Sequence, residues 1–285
     1  MKIRKIFLIS TCLFAFFLLC ISAVFAEPPE RIISLAPSTT EILFALGLGD
    51  NIIGVTTFCD YPEDAKRKAK IGGMSNPSLE AVVSLKPDIV VLTTDGNPKE
   101  FEERLRALKI KTHVFKARKL ADLPQGIREM GTALGLKEES ERLAGEIEEG
   151  LNKFKGSSQN DPELRTPNSG LKKVLFIIWP EPLIVAGHGT AIDDAITLLG
   201  HENIASMSKT AYPKYSIEEV IYQSPDVIFI GEGHIDMREA SKGLLKRLET
   251  VPAVKNNNVF YVSDGLYRLG PRVIKGIKEL DECLK

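Results

Sequence analysis

The sequence predicts two α/β lobes, each a mainly parallel sheet flanked by helices, joined by one long bridging helix with a ligand cleft between them. Three observations carry this. A stretch of the first half recurs in the second at a constant offset of 138 residues. The strands inside that repeat are apolar throughout, as strands buried on both faces are. A long, polar, helical segment separates the two copies.

The repeat is the most informative feature. Ser78-Leu79-Glu80-Ala81-Val82-Val83 recurs as Ser216-Ile217-Glu218-Glu219-Val220-Ile221, and Pro87-Asp88-Ile89-Val90-Val91-Leu92 as Pro225-Asp226-Val227-Ile228-Phe229-Ile230. No gap is needed across fifteen positions. In each copy Ser caps a short amphipathic helix. Pro ends it. Asp then turns the chain into a β-branched strand. The flanks agree more loosely. Residues 31–35 read as a strand, and 38–46 as a helix closed by Gly47; residues 173–178 read as a strand, and 190–199 as a helix closed by Gly200. Residues 52–56, 112–115 and 259–262 are further strand candidates. Strands alternating with helices in both halves predict two α/β lobes.

Between the copies, residues 137–155 place Leu143, Ile147, Leu151 and Phe154 at helical spacing among six glutamates. Residues 156–170 are rich in Ser, Asn, Pro and Asp, a surface loop. The predicted organisation is therefore a lobe over 27–120, a bridging helix and loop over 121–170, and a second lobe over 171–285. Such a pair of lobes leaves a cleft facing the carboxyl ends of the strands.

Residues 1–26 stand apart. Lys2, Arg4 and Lys5 precede an apolar run from Ile6, and Ala26 supplies a small residue before Glu27-Pro28-Pro29. That pattern predicts a secretory signal, or else a retained anchor, since the run approaches the length of a span. Export is expected in either case. The whole chain has 285 residues, 44% hydrophobic and 26% charged, with net charge -1. This excludes a disordered chain and shows no basic footprint for nucleic acid. Of four cysteines, only Cys59 and Cys283 lie beyond the leader, and their spacing leaves a disulfide or two thiols open.

Catalytic signatures are missing: no Gly-x-Ser-x-Gly elbow, Walker loop or His-Glu-x-x-His is present, so an exported hydrolase has no nucleophile–base pair to point to. Gly47 and Gly49 follow a helix and read as its terminator. The histidines His113, His188, His201 and His234 are scattered, and no metal site is expected from them. No resident cofactor is expected either. Aromatics near strand ends favour a cleft for a flat or bulky ligand: Phe58 and Tyr61, Trp179 directly after the strand of residues 174–178, Tyr212, and Tyr267. Glu80 and Glu218 occupy equivalent first turns. They either complement the helix dipole or form a two-point dock for paired arginines.

Six stretches together resemble a known family: RIISLAPSTTEILFALG from 31, GVTTFCDYPEDA from 54, IGGMSNPSLEAVVSLKPDIVV from 71, WPEPLIVAGHGTAIDDAITLLGHENIA from 179, YSIEEVIYQSPDVIFI from 215 and SDGLYRLGPRV from 263. The chain is similar over nearly all of 31–285 to the substrate-binding proteins of bacterial ABC importers for cobalamin and ferric siderophores, nearest the cobalamin branch. The resemblance implies a ligand held between lobes of limited hinge motion. It implies docking on an inner-membrane ABC permease through Glu80 and Glu218. It carries ligand contacts to Phe58 and Tyr212, and the polar loop to Asp264 and Arg268. Thr93 and Tyr212 stand where the cobalamin branch has tryptophans. The expected ligand is a corrinoid, with a ferric siderophore or haem as the alternative; the protein is expected in the periplasm, as a monomer.

Overall fold

The computed structural model describes residues 28–159, 170–233 and 235–285, with backbone alone for 156–159. The leader with Cys12 and Cys20, most of the loop after the bridging helix, and His234 lie outside the described residues.

The first lobe runs β1 (Ile32–Ser34), α1 (Pro37–Ala45), β2 (Ile52–Val55), α2 (Glu63–Lys66), β3 (Ala69–Lys70), α3 (Leu79–Ser84), β4 (Ile89–Thr93), α4 (Lys99–Ala107) and β5 (Lys111–Phe115). Its sheet is wholly parallel, in the order β3-β2-β1-β4-β5. A 3-10 turn (Leu120–Asp122) leads into α5 (Leu123–Leu134) and α6 (Lys137–Gln159). The second lobe contains β6 (Lys173–Pro180), β7 (Leu183–Val185), α7 (Ala191–Leu198), β8 (Glu202–Asn203), α8 (Ile217–Gln223), β9 (Val227–Gly231), α9 (Met237–Arg247), α10 (Pro252–Lys255), β10 (Val259–Val262) and α11 (Val273–Leu284). Its sheet has the order β10-β9-β6-β7, with the short β8 also on β6. All pairs are parallel except the β6–β7 hairpin.

The repeat is a structural unit. Ser78 and Ser216 each accept a hydrogen bond at Oγ from a first-turn backbone N–H, of Ala81 at 3.2 Å and of Glu219 at 3.0 Å. Each Asp clamps the neighbouring strand. Asp88 Oδ2 accepts from the N–H of Arg31 at 2.9 Å, and Asp226 Oδ2 from that of Lys173 at 2.8 Å. The residue before each proline, Lys86 and Ser224, is left-handed (φ 47° and 52°) and closes the helix ahead of the proline. Ile89 and Val91 of β4, with Val227 and Phe229 of β9, face one core shared by both lobes. Val90 and Leu92 face a separate outer core, as do Ile228 and Ile230. Alternate side chains thus feed two cores, which is why the runs Ile89–Leu92 and Val227–Ile230 are apolar throughout.

The long bridging helix is α6, and α5 packs along it. Gly135, at φ 75°, caps α5, and α6 returns along it. Gly131 lets Ser140 of α6 approach: a methyl there would lie 2.0 Å from Ser140 Oγ. Farther along, Gly150 seats Ile274 of α11 in the second lobe. The shared core runs from Ile32 and Phe115 through Leu123 and Ile147 to Phe176 and Leu280. Cys59 and Cys283 are both free thiols, Cys59 buried against the hydroxyls of Thr40 and Thr56 at 3.1 Å. Among the described residues, no helix is long and apolar enough to cross a membrane, and no group of three or more His, Cys, Asp or Glu could hold a metal ion.

Candidate functional site: an inter-lobe cavity

The loops after the carboxyl ends of both sheets meet in a cavity of about 220 Å³. From the first lobe come Pro37 and Ser38 after β1, Phe58 after β2, Met74 after β3, Thr93 at the end of β4 with Asp95 beyond it, and Phe115 at the end of β5 with Ala117 beyond it. The second lobe adds Gly233, Tyr267, Arg268 and Leu269. A broader open groove of about 760 Å³, lined by Leu46, Gly47, Asn51 and Leu136 among others, lies at the opposite ends of the strands. The carboxyl-end position, with faces from both lobes, marks the smaller cavity as the candidate site.

Local chemistry holds each wall. Asn97 ties three strand-end loops together. Its Oδ1 accepts from the Thr93 N–H at 2.8 Å, and its Nδ2 donates to the carbonyls of Leu35 at 2.9 Å and Met74 at 2.8 Å. Tyr267 donates its hydroxyl to the Glu232 carbonyl and packs edge-on against Phe176, the ring centroids 6.5 Å apart. Gly231 permits that approach, because a methyl there would stand 2.8 Å from the Tyr267 ring. Burial pushes the Tyr267 phenol above its ordinary range, so it stays a neutral donor. The Glu279 carboxylate accepts from Ser263 Oγ at 2.6 Å and anchors the loop carrying Asp264 to Arg268.

A buried charged network crosses the lobes beside the cavity. Arg268 pairs with Asp60, and its Nε lies 2.7 Å from Asp264 and its Nη1 3.8 Å from Glu41. Arg272 donates from Nε to Glu41 at 2.8 Å and from Nη1 to Asp264 at 2.6 Å. Its guanidinium also sits 4.2 Å from the centroid of the Tyr61 ring. Burial raises the Glu41 carboxyl above its ordinary value, while its guanidinium partners pull the other way. At the opposite rim Tyr212 Oη donates to Asp95 at 3.3 Å, again across the lobes. Burial first, then Asp95, pushes the Tyr212 phenol up.

Of the residues singled out from sequence, Phe58, Thr93, Tyr267 and Arg268 line the cavity. Tyr212 stands at its rim on Asp95, while Tyr61 and Asp264 belong to the charged network. Trp179 is corrected. It lies within β6 opposite Ile184, not in a loop beyond the strand, and its indole N–H donates to the Glu181 carbonyl at 2.8 Å. It is not among the residues of the cavity wall. Glu80 and Glu218 are exposed on the first turns of α3 and α8, away from the cavity. A third hollow, of about 320 Å³, lies beside Glu218, between the β6–β7 turn and Arg247. Sequence reasoning missed Glu41, Asp60, Met74, Asp95 and Asn97. Only Asp60 carried a signal, as a neighbour of Phe58 and Tyr61.

His113 lies in β5, half-buried, and His201 follows α7. His188 is exposed, its Nδ1 3.6 Å from Asp193.

A family model described as periplasmic binding protein matches residues 32–265. The chain belongs to the periplasmic binding protein family. It is similar to the vitamin B12-binding protein of Pectobacterium carotovorum, 30% identical over 265 residues, which is 92% of this chain and 90% of that protein. It is likewise 30% identical over 261 residues to the vitamin B12-binding protein of Vibrio vulnificus, 90% of each chain being covered. Among solved structures, the periplasmic vitamin B12 binding protein of Vibrio cholerae superposes with a TM-score of 0.78 at 26% identity, over 90% of this chain and 97% of that one. The apo periplasmic heme-binding protein of Roseiflexus sp. RS-1 superposes with a TM-score of 0.79 at 29% identity, over the same shares. The two-lobed α/β architecture read from the repeat is the architecture of this periplasmic binding protein.

Proposed function

We propose that this periplasmic binding protein is the solute-binding component of an ABC importer, capturing a corrinoid between its lobes and delivering it to the membrane permease. It acts by binding, without turnover, and the ligand is cargo rather than a resident cofactor. Residues 1–26 direct export to the periplasm. The observation that carries the reading is the cavity itself: aromatic and apolar surface from both lobes at the strand ends, with few polar groups. The similarity to vitamin B12-binding proteins names the ligand class. Phe58, Met74 and Tyr267 cover the faces of the ligand, and Thr93, Asp95 and Tyr212 meet its polar edge. Haem or a ferric siderophore is the second reading, favoured by the equal likeness to the heme-binding fold.

Docking uses Glu80 and Glu218, presented at equivalent positions by the repeat and paired with cationic groups on the permease. Exposed ion pairs are screened over a Debye length of about 8 Å at physiological salt, so docking weakens as salt rises. The test is the double variant Glu80→Ala with Glu218→Ala. Ligand uptake into permease-containing vesicles should be lost while ligand affinity persists. Unchanged uptake, or lost ligand affinity, would contradict this division of labour.

A further inference from the structure

We propose that the cavity selects its ligand by charge, taking neutral or cationic ligands and rejecting those that carry carboxylates, because the Arg268 guanidinium that lines it is already occupied. The inference rests on the proposed function and narrows it.

Among the described residues, two charged side chains line the cavity, Arg268 and Asp95. They differ in availability. Arg268 is 7% exposed and sits among Asp60, Asp264 and Glu41. Arg272 shares Asp264 and Glu41. The network therefore sets two guanidiniums against three carboxylates, a formal excess of negative charge beside the cavity. An incoming carboxylate reaches Arg268 only by displacing one of these partners, which leaves a buried carboxylate uncompensated. Asp95 is different. It accepts from the Tyr212 hydroxyl, and among the described residues no ammonium or guanidinium pairs with it. It offers an acceptor to an amide, or a counter-charge to a cation. Arg118 is near this rim, but it is exposed and donates to the Thr94 carbonyl at 2.9 Å, so its charge is screened by water. Discrimination here is built from repulsion as well as attraction.

The experiment titrates the purified protein with cyanocobalamin, which has no net charge, with cationic diaquocobinamide, and with propionate-bearing hemin. The expected order places both corrinoids at least about tenfold tighter than hemin. Asp60→Asn releases Arg268 and should move the hemin-to-cyanocobalamin affinity ratio about tenfold toward hemin. Asp95→Asn, at the half-exposed rim, should weaken diaquocobinamide about threefold relative to cyanocobalamin. Hemin bound as tightly as the corrinoids by the unaltered protein would overturn the charge rule while leaving a tetrapyrrole carrier. Ratios unmoved in both variants would overturn it too. Silence with every ligand would overturn the corrinoid reading and the charge rule with it.

Discussion

Arg268 shows how a residue's setting changes its meaning. In sequence it is a cation in a polar loop, available to a ligand. In the fold it is a spoke of a network whose other members lie far along the chain, at Glu41 and Asp60. Tyr212 and Tyr61 shift in the same way, from wall to rim and to network. Phe58, Thr93 and Tyr267 needed no such correction of place, because strand ends are legible from local pattern and the cavity forms there. Asn97 was not legible at all, since its three acceptors and donors come from three separate loops. His113 offers a residue-scale test. Burial in β5 lowers its imidazole below the ordinary 6.5. Below that pH the unfolded chain takes up a proton that the folded one resists, so stability falls as pH falls through this window. Replacing His113→Gln should flatten the decline in urea midpoint between about pH 7.5 and pH 5. A decline as steep as before would contradict the assignment.

At the scale of elements the repeat was nearly complete in the sequence: Ser caps, Pro-Asp turns and apolar strands stand where they were expected. What was hidden is α5. Its apolar stripe, buried at Leu123, Ile127, Met130 and Leu134, packs along the glutamate-rich bridging helix α6. The pair is held by close approach at Gly131 and by Arg128, which donates to both Glu141 and Glu148 of α6. A methyl at residue 131 meets both Ser140 and the Leu136 carbonyl, at 2.7 Å from the latter. Backbone cannot yield as a side chain can. Gly131→Ala should therefore lower stability by about 1–3 kcal/mol in chemical unfolding. Stability equal to the unaltered protein would show that the two helices separate freely.

Across the whole molecule, one hydrophobic core runs beneath both lobes and the bridging helices. The contacts above that core are unequal. One side carries buried, multiply bonded guanidiniums; elsewhere the lobes meet through Tyr212 on Asp95 and through the Leu120 N–H, which donates to Asp194 at 2.9 Å. Capture of a corrinoid as proposed requires the lobes to part, because a cavity of about 220 Å³ is below the roughly 300–1,000 Å³ of ordinary ligand pockets. Calorimetric titration of the purified protein with cyanocobalamin is the most direct test of this account. It predicts saturable binding at one site, micromolar or tighter, with coloured ligand co-eluting and affinity falling at least about tenfold in Tyr267→Ala. Absence of binding, or binding indifferent to Tyr267, would contradict a corrinoid carrier built around this cleft.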